Sequence, residues 1–398
     1  MKRTLHILYQ SVPNISGSST RSKNLIDAQR KLGLNPVVIT SPFQKGEDKN
    51  RDEIDGVSYY RTQVVGTRNI NVSEQKKSFW TKLLKGISFL YFAIKVINLV
   101  RKEKIDIIHS HATFYCALAG IIAGGICRRP TIYEVRSLWY ERRPAKTILN
   151  RIEKEFYKKL EQLSIVYSKK IVCINKILKE HLVKQLFIKE DKISVVSNAV
   201  DVKWLESLPL KKRNSNALRF GYIGSISPIE GLELTMEAFK NDTTLKSHPF
   251  YVYGGGPKEY ISKLKAQAPA NFKFLGQIKK AFIWEAYNSI DVIVIPRPPA
   301  LITNTVTPLK PLEGVGAGKI VVVSDIPPMH EIIEDKKTGF FFKSTSYNDL
   351  VDTLKKIIRK YSEISEYEKQ VKSSKKIVLE KYSWLNNALQ YKRLYETI

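Results

Sequence analysis

The feature that most constrains this chain is an alternation of short apolar runs with helical patterns, which plays through once and then starts again. In the first half the runs fall at residues 4–9, 36–40, 105–109, 131–135, 171–174 and 193–196. They are apolar almost throughout, as strands covered on both faces are. Helical spacing fills the gaps, for example at 21–32, 112–122 and 151–168. The second half repeats the pattern at 218–223, 250–253, 272–275, 292–295 and 320–323. Strand–helix–strand alternation builds parallel sheets with helices on both faces, so the chain is predicted to be α/β with two doubly wound domains. The polar, aperiodic stretch from Lys211 to Asn216 marks a linker. The expected organisation is a first domain at 1–200, a linker at 201–216, a second domain at 217–380 and a closing helix at 381–398. Ligands of such sheets bind outside the carboxyl ends of the strands, which predicts a site in an inter-domain cleft.

Composition narrows the class. With 398 residues and 43% hydrophobic content, the chain can bury two cores and is not disordered. Cys116, Cys127 and Cys173 fit neither a disulfide framework nor zinc spacing, and suit a reducing cytosol. The first apolar run is broken by His6 and Gln10, so no secretory leader is expected. The most apolar stretch, 79–100, carries Lys82, Lys85 and Lys95, so no membrane span is expected either. The net charge of +28 is concentrated in the first half. An anionic membrane surface or nucleic acid would answer such a charge, and so would a merely Lys-rich composition. No nucleic-acid module is recognisable and the basic residues are spread, so no nucleic-acid partner is expected.

Candidate chemistry lies at strand ends. Ser16-Gly17-Ser18-Ser19-Thr20-Arg21 follows the first strand and opens a helix, which suits a phosphate; a capped turn would read the same. Asp106-Ile107-Ile108-His109-Ser110-His111 is read as a strand end leading into a helix, with one histidine to each side of the tip. His111, nearer the helix, is the preferred candidate to act as a base or to hold a hydroxyl or phosphate. Too few further ligands cluster in the sequence for zinc. The segment Tyr133-Glu134-Val135-Arg136 through Trp139, Glu141 and Arg143 combines charge with a ring-stacking wall, or is a solvated loop.

In the second half, Gly221-Tyr222-Ile223-Gly224-Ser225 through Glu230-Gly231 has the order strand, glycine turn, helix. Gly254-Gly255-Gly256-Pro257 would let a ligand approach the backbone. Pro296-Arg297-Pro298 through Thr307-Pro308-Leu309-Lys310-Pro311-Leu312-Glu313 places Arg297 and Lys310 where cations could neutralise a diphosphate. Glu313 could accept two ribose hydroxyls, or simply pair with Lys310 one turn away.

Taken together, and over nearly the whole length, these segments resemble family 4 glycosyltransferases of the GT-B fold. The resemblance includes Asn198–Asp201, Phe274-Leu275-Gly276, Ser324-Asp325, His330-Glu331 and Thr338-Gly339-Phe340. It implies retaining, metal-independent transfer from a nucleotide sugar, with the donor held mainly by the second domain. No cofactor or metal is implied. The chain departs from the family pattern in the second-domain loop, where Ser225 and Glu230 stand in place of a cation pair. Thr305 stands where the first of two glutamates is common. The expectation is that Arg297 and Lys310 replace the missing cations, because a diphosphate in a closed site needs compensation. On this reading His111, Arg297 and Lys310 carry the chemistry. Gly17, Gly224, Ser225, Glu230, Gly254, Gly255, Pro308, Leu309 and Glu313 bind donor, and Arg136, Trp139 and Glu141 line the acceptor side.

Phe79, Leu83, Ile87, Leu90, Ile94 and Ile97 recur at helical spacing beside Lys76, Lys77, Lys82 and Lys85, with Trp80, Phe89, Tyr91 and Phe92 adding aromatic bulk. Such a helix either lies in a lipid interface or packs in the first core. The first reading makes a lipid-linked glycan the expected acceptor, in envelope polysaccharide synthesis at the inner face of the plasma membrane. The alternatives are a sugar-nucleotide epimerase and a non-catalytic relative acting as an assembly partner.

Overall fold

The computed structural model describes residues 2–14, 16–44, 49–63, 79–142 and 147–398. The chain divides into two compact units, Met1–Ser197 with Trp384–Ile398, and Asn198–Ser383.

The first unit is built on β1 (Arg3–Leu8), β2 (Asn35–Thr40), β3 (Arg51–Ile54), β4 (Val57–Arg61), β5 (Ile107–His111), β6 (Thr131–Val135), β7 (Lys170–Cys173) and β8 (Ile193–Val195). Their order in the sheet is β3-β4-β2-β1-β5-β6-β7-β8. Helices α1 (Gly17–Lys31), α2 (Phe79–Lys102), α3 (Phe114–Cys127), α4 (Ile148–Tyr167) and α5 (Lys176–Leu186) connect them. Two expectations are corrected here. The sheet is not wholly parallel, because β3 and β4 form an antiparallel hairpin at its edge. Its two-residue turn, Asp55-Gly56, has positive φ at both positions (51° and 71°), the geometry that matches strand twist. β5 also runs on to His111 instead of ending at His109. With a period of two, His109 and His111 therefore point to the same face.

One face of this sheet packs Leu5, Ile7 and Ile108 against Phe92 and Val96 of α2 and Cys116 and Ala119 of α3. The inner side of α2 is thus core, while Ile87, Leu90 and Ile94 on its outer side are exposed. Lys76 and Lys77 lie outside the described residues, as do the side chains of Phe79, Trp80, Lys82, Leu83 and Lys85. Among the described residues no helix is long and apolar enough to cross a membrane.

The second unit carries a parallel sheet of β9 (Phe220–Ile223), β10 (Phe250–Tyr253), β11 (Phe272–Gly276), β12 (Val292–Ile295), β13 (Ile320–Ser324) and β14 (Phe340–Phe342), in the order β11-β10-β9-β12-β13-β14. Its helices are α6 (Val202–Ser207), α7 (Leu232–Asn241), α8 (Thr243–Lys246), α9 (Lys258–Gln267), α10 (Ile283–Ser289), α11 (Leu301–Thr305), α12 (Lys310–Gly316), α13 (Pro327–His330), α14 (Tyr347–Tyr361) and α15 (Ile364–Lys381). The strand period sorts the core. Val292, Val294, Ile320 and Val322 join Phe220 and Phe250 on one face. Ile293, Ile295, Val321 and Val323 pack under Leu312 and Val315 on the other. Within the stretch expected as linker, α6 places Leu205 in that second cluster. The last helix, α16 (Trp384–Glu396), belongs to the first unit, where Tyr391 and Tyr395 are buried.

Gly56→Ala is expected to cost about 1–2 kcal/mol, because an L side chain is strained in this left-handed conformation and its Cβ would meet the Arg30 guanidinium. Urea unfolding of the two proteins measures it.

Candidate functional site

In the second unit the loops leaving β9 and β10 are stitched together by backbone. Gly224 N–H donates to Tyr253 O (2.9 Å) and Ile226 N–H to Gly255 O (2.8 Å). Both turns need glycine. Gly224 and Gly254 have φ of 151° and 154°. A Cβ on Gly254 would lie 1.7 Å from Gly224 O, and one on Gly224 would lie 2.1 Å from Lys310 Cε. The closest approach at Gly254 is therefore made by the neighbouring loop. Ser225 is exposed, and its carbonyl accepts from Tyr222 Oη (2.7 Å).

Beneath these turns lies a buried ion cluster. Glu230 Oε1 accepts from Arg297 Nη2 (3.0 Å) and from Lys310 Nζ (2.8 Å), and Oε2 accepts from Arg297 Nε (3.2 Å). The Lys310 ammonium also sits 5.3 Å from the Tyr222 ring centre. Burial opposes ionisation of Glu230, but Lys310 and Arg297 outweigh it and hold its pKa at about 2. Burial in turn lowers the pKa of Lys310. Two cations against one carboxylate leave the cluster with surplus positive charge. Arg297 Nη1 reaches Val306 O (3.3 Å) and Asn198 Nδ2 reaches Thr307 O (2.6 Å). These bonds hold the segment that carries Pro308, Leu309 and Lys310 into α12, with Glu313 half-buried in its first turn. Thr305 is buried in α11, its hydroxyl bonded to Leu301 O.

The first unit holds a different cluster at the ends of β5 and β6. Glu134 is completely buried. Its Oε1 accepts from Arg21 Nε (2.8 Å) and Arg136 Nε (2.7 Å), and its Oε2 accepts from Tyr391 Oη (2.5 Å). Around it stand three buried imidazoles, His6, His109 and His111. Arg136 Nη2 lies 2.7 Å from His111 Nδ1. An arginine can only donate, so the His111 proton is assigned to Nε2, which then donates to His6 Nδ1 (2.8 Å). That leaves the His6 proton on the side of the Gln29 amide. Gln29 Nε2 donates to Tyr395 Oη (3.0 Å), Tyr395 donates to His109 Nδ1 (2.8 Å), and His109 Nε2 faces Glu134 Oε2 at 3.5 Å. These groups surround the carboxylate, while His6 Nε2, Gln29 Oε1 and His109 Nε2 are buried without a hydrogen bond.

The three imidazoles bring ring nitrogens within 4.8 Å of one another, the spacing of a possible metal site. The donor set fits a metal poorly. Both nitrogens of His111 are engaged in hydrogen bonds, and two guanidinium groups share the adjacent carboxylate, so a further cation would meet repulsion.

The remaining sequence candidates are distributed as follows. Gly17 is exposed at the start of α1, behind the N-cap Ser16, which accepts from Ser19 N–H (3.1 Å). Arg136 is not an open acceptor-side cation. It is buried, and its Nη1 grips Ser18 O (2.8 Å) and Ser22 Oγ (2.9 Å), which ties the α1 start to Glu134. Trp139 packs on Phe114 and Tyr157, and Glu141 pairs with Lys154 (2.8 Å). Arg143 lies outside the described residues. His111 is buried, not an open base. Sequence reading missed His6, Arg21, Glu134, Tyr391 and Tyr395 as one cluster. A histidine amid Leu5 and Ile7 in a buried strand was the available signal.

Comparison with known proteins matches both units in chain order. Residues 15–204 match the family described as Glycosyltransferase Family 4, and residues 209–376 match Glycosyl transferases group 1. The chain belongs to the family 4 glycosyltransferases. An uncharacterised glycosyltransferase of Methanocaldococcus jannaschii is 23% identical, over 96% of this chain and 94% of its own. The UDP-Gal:α-D-GlcNAc-diphosphoundecaprenol α-1,3-galactosyltransferase of Escherichia coli is 24% identical, over 66% of this chain and 69% of its own. Among solved structures, sucrose-phosphate synthase from Thermosynechococcus elongatus superposes with a TM-score of 0.76 at 14% identity, covering 100% and 99% of the two chains. The fold is GT-B, with two Rossmann-like units.

In this glycosyltransferase the Glu134 cluster is expected to make the first unit acid-sensitive. Burial pushes the pKa of His6, His109 and His111 down, so below the unfolded imidazole value of about 6.5 the unfolded chain binds more protons. Stability is full above that pH and falls below it, by up to about 1.4 kcal/mol per pH unit for each histidine. Burial disfavours the Glu134 carboxylate, but Arg136 and Arg21 hold its pKa well below the usual range. Its contribution is present above its unfolded pKa and is lost as pH falls through the depressed folded value. Melting temperatures taken from about pH 7.5 to about 5.5 should fall, and His6→Gln should flatten that slope. Glu134→Gln should cost about 3–5 kcal/mol at neutral pH, since it strands two buried guanidinium groups.

Proposed function

We propose that this enzyme transfers a hexosyl or related sugar from a nucleotide-sugar donor to a glycan or lipid-linked glycan acceptor, with retention and without a metal ion, in envelope polysaccharide synthesis at the inner face of the plasma membrane. The observation that carries the reading is the Glu230–Arg297–Lys310 cluster at the carboxyl ends of β9 and β12. There, surplus positive charge meets glycine turns and leads into the helix of Glu313. The diphosphoundecaprenol acceptor of the E. coli relative supports the lipid-linked part, and its UDP-galactose donor supports the nucleotide sugar.

In the proposed reaction the bond from the anomeric carbon to the diphosphate breaks while negative charge gathers on the leaving group. Arg297 and Lys310 offset that charge inside a site of low dielectric, the role a metal ion would otherwise fill. Glu230 holds both cations in place. Without it they would repel each other and swing outward. Glu313 would accept the ribose hydroxyls. No side chain is assigned as a covalent nucleophile, and the leaving phosphate takes the acceptor's proton.

Thermal shift with UDP, GDP and their common sugars tests the donor site, because a ligand bound to the native state raises the melting temperature. One nucleotide should stabilise the native protein. Arg297→Ala and Lys310→Ala should each weaken it by about tenfold or more, and Glu313→Ala should abolish the shift. Transfer in the presence of EDTA should be undiminished. No shift with any nucleotide would move the chain to a non-catalytic assembly role, and release of an altered sugar without acceptor would make it an epimerase.

A further inference from the structure

The helix α4 is inside out. Of its twenty residues only Glu161, Ser164 and Ile165 are buried. Leu149, Ile152 and Phe156, which recur at helical spacing, are 78%, 62% and 57% exposed. What faces inward is largely polar or aromatic. Tyr157 packs on Phe114 and Trp139, and Glu161 accepts from the Tyr133 hydroxyl. A helix whose strongest apolar stripe is turned to solvent has an unmet partner.

The stripe does not stand alone. α3 packs against both α2 and α4, and it turns Ile126 outward, as α2 does Leu90 and Ile94. Thirteen of the twenty exposed large apolar side chains among the described residues belong to these three helices, which pack in succession, α2 on α3 and α3 on α4. The same face is basic. On α2 the described side chains of Lys95, Arg101 and Lys102 are exposed. On α4, Arg151, Lys154, Lys158 and Lys159 stand against Glu153 and Glu155. The third acid, Glu161, is buried, which pushes its pKa up to about 8 and leaves it mainly uncharged near neutrality.

We propose that this face of the first unit, centred on α4, docks on an anionic lipid bilayer. Insertion of the Leu149–Ile152–Phe156 stripe at the headgroup boundary would bury its apolar surface, while the flanking lysines and arginines meet lipid phosphate. A helix of this length lays about 30 Å of apolar edge in one plane, a shape a flat interface satisfies along its whole length. Docking would also hold the candidate acceptor loop about one helix diameter (~10 Å) behind the interface, since Trp139 packs on Tyr157 and Glu141 pairs with Lys154, both on α4. That consequence rests on the lipid-linked acceptor proposed above; the surface itself does not.

The test is flotation of the full chain with vesicles of phosphatidylcholine, with and without phosphatidylglycerol. The native protein should float with the anionic vesicles and lose that binding in high salt. The double variant Ile152→Glu, Phe156→Glu should bind at least about tenfold less, and so should Lys158→Glu, Lys159→Glu, each with an unchanged melting temperature. Ile152, Phe156 and Lys159 are exposed, and Lys158 is half-exposed in a surface pair with Glu155, so folding should persist. Native binding that ignores lipid charge, or variants that float as well as the native chain, would overturn the proposal. So would a native dimer in analytical ultracentrifugation that the Ile152→Glu, Phe156→Glu chain no longer forms, because the face would then be a subunit interface. Nucleotide-induced thermal shift is measured on the same proteins. A shift kept in variants that no longer float is the expected result. Vesicle binding without any nucleotide shift would sink the donor reading and leave this surface standing.

Discussion

A single carboxylate organises the first unit. Glu134 has no contact with water, and ionising it there would be prohibitive if Arg21 and Arg136 did not converge on one of its oxygens. Each guanidinium then spends its remaining donors on a different part of the chain. Arg136 takes Ser18 and Ser22 at the start of α1, while Arg21 takes the carbonyls of Val196 and Ser197. Tyr391 donates to the other carboxylate oxygen from 257 residues away. The return of α16 to this unit follows from the same need. Without Tyr391 and Tyr395, Glu134 and His109 would each lose a hydrogen-bond donor in a place water does not reach. Removing one member of such a network costs more than the bond it made, because its partners are left charged or polar in the interior.

How much of this the sequence disclosed depends on how local the determinant is. The buried parallel strands were legible because burial on both faces writes itself as a continuous run of Val, Ile and Leu. Residues 292–295, Val-Ile-Val-Ile and all buried, are bounded correctly for that reason. The β3–β4 hairpin escaped because an edge strand needs no such run, and Arg51-Asp52-Glu53 looks like loop. Its one strong signal was the Asp55-Gly56 turn. His111 stands out in the sequence, but a strand ending at His109 sets it on the wrong side; β5 continues two residues further, to His111. The Glu134 cluster joins residues 6, 21, 29, 109, 111, 134, 136, 391 and 395, and no pattern within a window of local sequence brings those together.

Helix α4 shows a different limit. Periodicity identifies a helix and finds its apolar stripe, and the usual inference turns that stripe inward. Here the inward side is fixed instead by three specific contacts: Tyr157 with Phe114, Tyr157 with Trp139, and Glu161 with Tyr133. Such contacts give the helix a definite rotation without consuming its apolar stripe. Pattern alone therefore fixes the element and leaves its orientation to tertiary partners that carry no local mark.

The two buried ion clusters answer different demands. Around Glu134, the two cations are matched by a carboxylate whose oxygens already accept from Arg21, Arg136 and Tyr391, and the cationic donors also reach main-chain carbonyls and a histidine. Such a centre is arranged to hold elements together, and introducing an anion would break bonds before it made any. Around Glu230, Lys310 makes one close bond to the carboxylate, packs its charge over Tyr222, and keeps part of its side chain accessible. Here an incoming anion would find positive charge already oriented and partly desolvated. The carboxylate's role is then to make that arrangement tolerable while the site is empty, because two uncompensated cations at this depth would repel each other or drop a proton. Glu230 supplies the counter-charge that keeps Arg297 and Lys310 in place. The departure at Glu230 is thus coupled to Arg297 and Lys310, and the three residues form one electrostatic unit.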